Sequence, residues 1–122
     1  MSDAIVLFAH GSRDPDWAGP FQLLRTLVAA RRPGARVELA FQEHMSPALE
    51  QAIDAAAAGG AARVLVVPLF LAPGGHIKRD LPALLAAARA RHPALAIRAT
   101  SSIGEERDVL AALADWIARA AE

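Results

Sequence analysis

Cysteine is absent from the 122-residue sequence, which excludes disulfides, thiolate metal sites and a cysteine nucleophile. Aromatic residues are scarce, at 5%, so packing must rest on small, alanine-rich helix surfaces. Charge of neither sign dominates. Thirteen Lys and Arg balance thirteen Asp and Glu, so no net field points to nucleic acid or to an anionic membrane surface. No run approaches the ~20 apolar residues needed to span a bilayer. The N-terminal apolar run, Ala4 to Ala9, is too short for a signal-peptide core and lacks a basic flank. A soluble, cytoplasmic protein is expected, with neither nucleic acid nor membrane as partner. The length suits a single domain over residues 1–122, burying roughly 65% of the surface that its unfolded chain would expose.

Four short β-rich runs alternate with four stretches of helical period. The first run, Ala4 to Ala9, is apolar throughout, as a strand covered on both faces should be. Trp17, Phe21, Leu24 and Val28 follow at helical spacing, up to the stop Arg31-Arg32-Pro33-Gly34. Arg36 to Phe41 alternates polar and apolar positions, which suits an edge strand. Ser46-Pro47 reads as a helix start, with Ser as N-cap and Pro at the first helical position. Leu49, Ile53 and Ala56 form its buried stripe, and Gly59-Gly60 ends it. Val64 to Phe70 is the strongest strand, with regular pairing expected to stop near Pro68. A glycine-containing loop then leads to His76. The helix behind it carries Ile77, Leu81, Leu84, Leu85 and Ala88, with Pro82 in its first turn or kinking it. Leu95 to Thr100 is the fourth strand. Val109, Leu113, Trp116 and Ala120 make the stripe of a last helix, with Trp116 expected in the core. Strands alternating with helices imply βαβ units and a mostly parallel sheet.

In an open parallel sheet, ligands bind outside the carboxyl ends of the strands. The residues found there are His10-Gly11-Ser12-Arg13, then Gln42-Glu43-His44, then Gly74-Gly75-His76 with Lys78, Arg79 and Asp80, and last Ser101-Ser102. Three of the four histidines and a carboxylate thus share one rim. Two neutral imidazoles and a carboxylate suit a borderline divalent ion such as cobalt, iron, nickel or zinc. Three protein donors leave coordination positions open, which fits an exchangeable ion better than a structural one. Gly74 and Gly75 let backbone approach a flat ligand with no side chain in the way. Each residue also has a plainer role. A single histidine after a strand is commonly a hydrogen-bonded loop residue, and Glu43, Arg13, Lys78 and Arg79 can simply face water. His44 can line the pocket or face solvent. His92 at a helix end reads as a C-terminal cap. Trp17 and Phe21 read as core.

Three segments carry a family resemblance: Val6-Leu7-Phe8-Ala9-His10-Gly11-Ser12-Arg13, Glu38 through Pro47, and Val66 through His76. They resemble the short CbiX-type sirohydrochlorin chelatases, the cobaltochelatase and ferrochelatase relatives acting on a siroheme or cobalamin precursor. The AHGSR and VPLFLxxGxH elements, in that order, are specific together. The resemblance implies a chelatase-like α/β three-layer sandwich with a four-stranded parallel sheet flanked by helices. It implies that His10 and His76 face the metal, with Glu43 as third ligand or proton acceptor. The cobalt, iron or nickel ion would be a substrate, and no organic cofactor is expected. The partner would be a sirohydrochlorin-type tetrapyrrole, whose carboxylate arms Arg13, Lys78 and Arg79 could meet. Short members resemble half of the longer two-domain chelatases, so a homodimer is expected. His44 departs from the family pattern.

Metal insertion requires shedding metal-bound water, bending the macrocycle and removing two pyrrole protons. Neutral imidazole serves either as ligand or as proton acceptor, so activity is expected to fall below roughly pH 6.5. A non-catalytic metal or tetrapyrrole carrier is the alternative. A phosphotransfer domain using His10 as nucleophile is the weaker rival, because Ala9 and not an arginine precedes it. Neither GxGxxG nor GxxxxGK[ST] occurs, which argues against a nucleotide site.

Overall fold

The computed structural model describes residues 3–122. Four strands, β1 (Asp3–Ala9), β2 (Ala35–Phe41), β3 (Arg63–Pro68) and β4 (Ala96–Ala99), form one sheet in the order β2-β1-β3-β4. Every pairing is parallel, with Ile5 opposite both Val37 and Leu65. The intervening helices are α1 (Gly19–Arg31), α2 (Leu49–Ala58) and α3 (Gly75–Arg91); a 3₁₀ turn at Ile103–Glu105 precedes α4 (Arg107–Ala120).

Strand alternation divides the core into two layers. On one face Ala4, Val6 and Phe8 of β1 join Val64 and Val66 of β3 beneath the Leu49, Ala52, Ile53 and Ala56 stripe of α2 and the Ile77, Leu85 and Ala88 stripe of α3. On the other face Leu7 and Ala9 join Val37, Leu39 and Phe41 beneath α1. This is the three-layer arrangement. Phe8, Phe70, Leu49 and Ile53 are almost wholly buried, each contributing about 1.5–3 kcal/mol of transfer free energy. The β1 run is apolar throughout because it is central and covered on both sides.

Several element ends differ from the sequence expectation. Helix α2 begins at Leu49, with Ala48 and not Ser46 as N-cap. The Pro47 carbonyl is taken by the Phe41 N–H at 2.9 Å, and the Ala48 N–H donates to Gln51 Oε1 at 2.9 Å. Those bonds hold 46–48 outside the helix. Trp17 lies in a turn before α1, its N–H donating to the Asp14 carbonyl, and its ring packs 4.5 Å from that of Phe21. Helix α3 starts at Gly75 and runs through Pro82, so His76 belongs to its first turn and not to the loop. The missing Pro82 N–H leaves the Lys78 carbonyl without its usual donor. His92 caps α3 as expected, its N–H bonded to the Ala88 carbonyl, and its Nε2 also meets Asp54 Oδ1 at 2.6 Å.

The largest correction concerns α4. Its amphipathic stripe is real, but Trp116 is 60% exposed and no α4 residue is buried. The helix meets its own chain mainly through the 3₁₀ turn before it. Correspondingly, Leu65 and Val67 of β3 are only half-buried, whereas Val64 and Val66 on the opposite face are sealed. Among the described residues, no helix is long and apolar enough to cross a membrane.

Candidate functional site

The order β2-β1-β3 sets the chain segments after three neighbouring strands side by side. The β1–β2 ladder runs past the formal strand ends. The Gln42 N–H donates to the Ala9 carbonyl at 2.9 Å, and the Glu43 N–H to the His10 carbonyl at 3.0 Å. His10 and Glu43 are therefore held together by backbone, whatever their side chains do. The crossing is tight. Gly11 has φ +88°, and a Cβ built there would lie 1.8 Å from the Glu43 carbonyl oxygen. Only glycine accommodates both demands.

On its other side β1 meets the end of β3, where the Leu69 N–H donates to the Phe8 carbonyl at 2.8 Å. That bond brings buried Phe70 under the rim. The Phe70 ring packs edge-to-face with Phe8 at 5.6 Å and with the His10 imidazole at 4.4 Å. The 3₁₀ turn is strapped across this loop. The Gly104 N–H donates to the Phe70 carbonyl at 3.1 Å, and a Cβ on Gly104 would lie 1.4 Å from the Leu71 carbonyl oxygen.

Seated on Phe70, His10 is exposed to solvent, with Nδ1 3.1 Å from Gln42 Oε1. The Glu43 carboxylate is 60% exposed and lies 3.7 Å from His44 Nε2. His44 has φ 65°, and its Nδ1 accepts from Arg13 Nε at 3.4 Å. Arg13, His44 and Glu43 thus form one polar chain on the rim. His76 is exposed in the first turn of α3, after Gly74 and Gly75, where an added Cβ would meet no atom within 4 Å. The loop is open to a ligand on that side. Among the described residues, no three His, Asp or Glu side chains are gathered into a ready-made ion cage. The donors stand on a rim, not in a hole.

Two cavities flank this rim. One, of about 400 Å³, lies between α2 and α3 and is lined by Phe8, Phe41, Gln42, Leu49, Glu50 and Asp80. The other, of about 340 Å³, includes Lys78, Arg89, Thr100, Ser101 and Ser102. Neither includes His10, Glu43 or His76. Lys78 lines the second cavity, where Pro68, Pro73, Ile77 and Leu81 stand beside the serines, and Arg79 is exposed. Sequence reasoning assigned no role to Gln42 or Phe70. Their positions beside and beneath His10 follow from strand register, which local pattern does not report.

The CbiX family model matches residues 4–120. A sirohydrochlorin cobaltochelatase from Methanococcus maripaludis is 37% identical over 83 residues, covering 68% of this chain and 58% of the relative. The chain therefore matches only somewhat over half the length of such curated relatives. A CbiX protein of Marinobacter aquaeolei, described as a putative cobalamin biosynthesis protein, superposes with TM-score 0.81 at 32% identity, covering 96% of this chain and 95% of that one. The sirohydrochlorin chelatase SirB of Bacillus subtilis subspecies spizizenii, solved in complex with cobalt, gives TM-score 0.74 at 29% identity. That alignment covers 98% of this chain but 51% of the SirB chain.

Proposed function

The chain belongs to the CbiX family, and we propose that it is a chelatase that inserts a divalent metal into a sirohydrochlorin-type tetrapyrrole. The observation carrying this reading is the rim itself: His10 and Glu43 stitched together by backbone, with His76 following the next strand. Imidazole and carboxylate bind cobalt, iron and nickel alike, so the ion is a substrate drawn from that group. His10 and His76 receive the ion and replace part of its water shell. Glu43, exposed and backed by the Arg13–His44 pair, takes up one pyrrole proton as the ion enters, releases it to solvent, and then accepts the second. A metal-bound imidazole nitrogen cannot accept a proton at the same moment, so ligand and base are separate groups.

The macrocycle lies flat across the rim over Gly74 and Gly75, where no side chain obstructs it. Its carboxylate arms reach toward Arg13, Lys78 and Arg79. They avoid the α2–α3 cavity, whose Glu50 and Asp80 lining repels anions.

The chain acts as a homodimer. Support comes from α4, where Leu110, Leu113, Trp116 and Ile117 are exposed, and from the β3 face left half-covered above. An apolar stripe of that kind is better buried than solvated. A chain that aligns with half of a longer chelatase also suits an assembly of two.

The test is metal insertion, followed by visible absorbance, with sirohydrochlorin and equal free cobalt, iron and nickel in separate reactions. Many turnovers per chain with at least one ion are expected. One equivalent of product held without turnover would favour a carrier, and no insertion with any of the three would overturn the enzyme reading.

A further inference from the structure

We propose that Gln42 is a positioning residue: its side-chain amide fixes the tautomer of His10 and makes Nε2 the metal-binding atom. This rests on the reading of His10 as the group that receives the ion. An amide oxygen only accepts hydrogen bonds. With Gln42 Oε1 3.1 Å from His10 Nδ1, the proton of the neutral ring sits on Nδ1. The lone pair is then on Nε2, the one ring nitrogen left free for a cation. A partner on the second imidazole nitrogen is the usual means of orienting a metal-binding histidine.

The anchor is rigid. The Gln42 N–H is bonded to the Ala9 carbonyl, one residue before His10, so the amide hangs from the same ladder that carries the ring. Phe70, buried and packed at 4.4 Å with a 72° interplanar angle, restrains the imidazole from below. Glu43 does not serve as this orienting partner, since its carboxylate turns toward His44. The half-buried Gln42 therefore has a task distinct from that of the adjacent carboxylate.

The experiment is ¹⁵N NMR of the imidazoles in the full chain, well above the ordinary histidine pKa of about 6.5, with calorimetric titration of cobalt alone. Wild type is expected to carry its His10 proton on Nδ1. Gln42→Leu, similar in size but without an acceptor, should move that proton toward Nε2 and weaken cobalt binding about 10-fold, the lower end of such outer-contact effects. Gln42→Glu, which keeps an acceptor, should preserve the Nδ1–H form. A wild-type His10 protonated on Nε2 overturns the proposal without any variant being needed. So does a Gln42→Leu chain with wild-type tautomer or wild-type cobalt affinity. These readouts involve no tetrapyrrole, so failure of metal insertion would strike the chelatase reading and leave the Gln42–His10 assignment standing.

Discussion

A methyl group on Gly11 would lie 1.8 Å from the Glu43 carbonyl oxygen and would also sit at φ +88°. Gly11→Ala is therefore expected to cost about 1–3 kcal/mol, the range for a strained backbone position, and to part Glu43 from His10. Denaturant unfolding measures the first effect and insertion rate the second; an unchanged midpoint and rate would contradict the crossing described. Away from the rim, the hydrogen bond from His92, reinforced by Arg91, holds the Asp54 carboxyl below its ordinary value of 3.8. The unfolded chain then takes up that proton first as pH falls. The stabilisation is complete above about pH 3.8 and is lost as pH drops through the lower folded value. Asp54→Asn should flatten the acid limb of a stability-versus-pH curve while sparing insertion, and an unaltered limb would show the contact to be inert. The rim positions of His10, Glu43 and His76 were legible because strand ends can be read locally. Gln42 could be placed on the same rim, but its role was not legible, since its meaning lies in a neighbour 32 residues away.

The central strands β1 and β3 were readable as apolar, β-branched runs and the edge strand β2 by its alternation, and the end of β3 at Pro68 followed from a missing amide. Helix starts were less readable. Ser46-Pro47 carries an N-terminal signature, yet Phe41 claims the Pro47 carbonyl and the helix waits for Leu49. The α4 stripe was equally visible, but periodicity reports only that a face is apolar and never what covers it. Trp116 consequently faces outward in the single chain. Since no α4 residue is buried, Trp116→Glu should leave the fold intact while shifting the chain from dimer to monomer in sedimentation equilibrium. A wild-type monomer, or a dimer that persists in the variant, would remove α4 as the contact.

Across the whole molecule, topology does what no single motif does. It takes three segments spread from residue 10 to residue 76 and lines them up after β2, β1 and β3. The helical layers cover one face of the sheet fully and the other only in part, and they leave the rim open, as the proposed flat, carboxylate-bearing substrate would need. Family membership and the shared rim position both support the proposed chemistry, in which two imidazoles share an incoming ion. The initial rate of metal insertion into sirohydrochlorin, compared among wild type, His10→Ala and His76→Ala, tests this most directly. Each substitution is predicted to slow the reaction on the order of 100-fold, at the upper end of what losing even an outer partner of a metal-binding group costs, with unfolding midpoint unchanged. A wild-type rate in either variant would contradict the account.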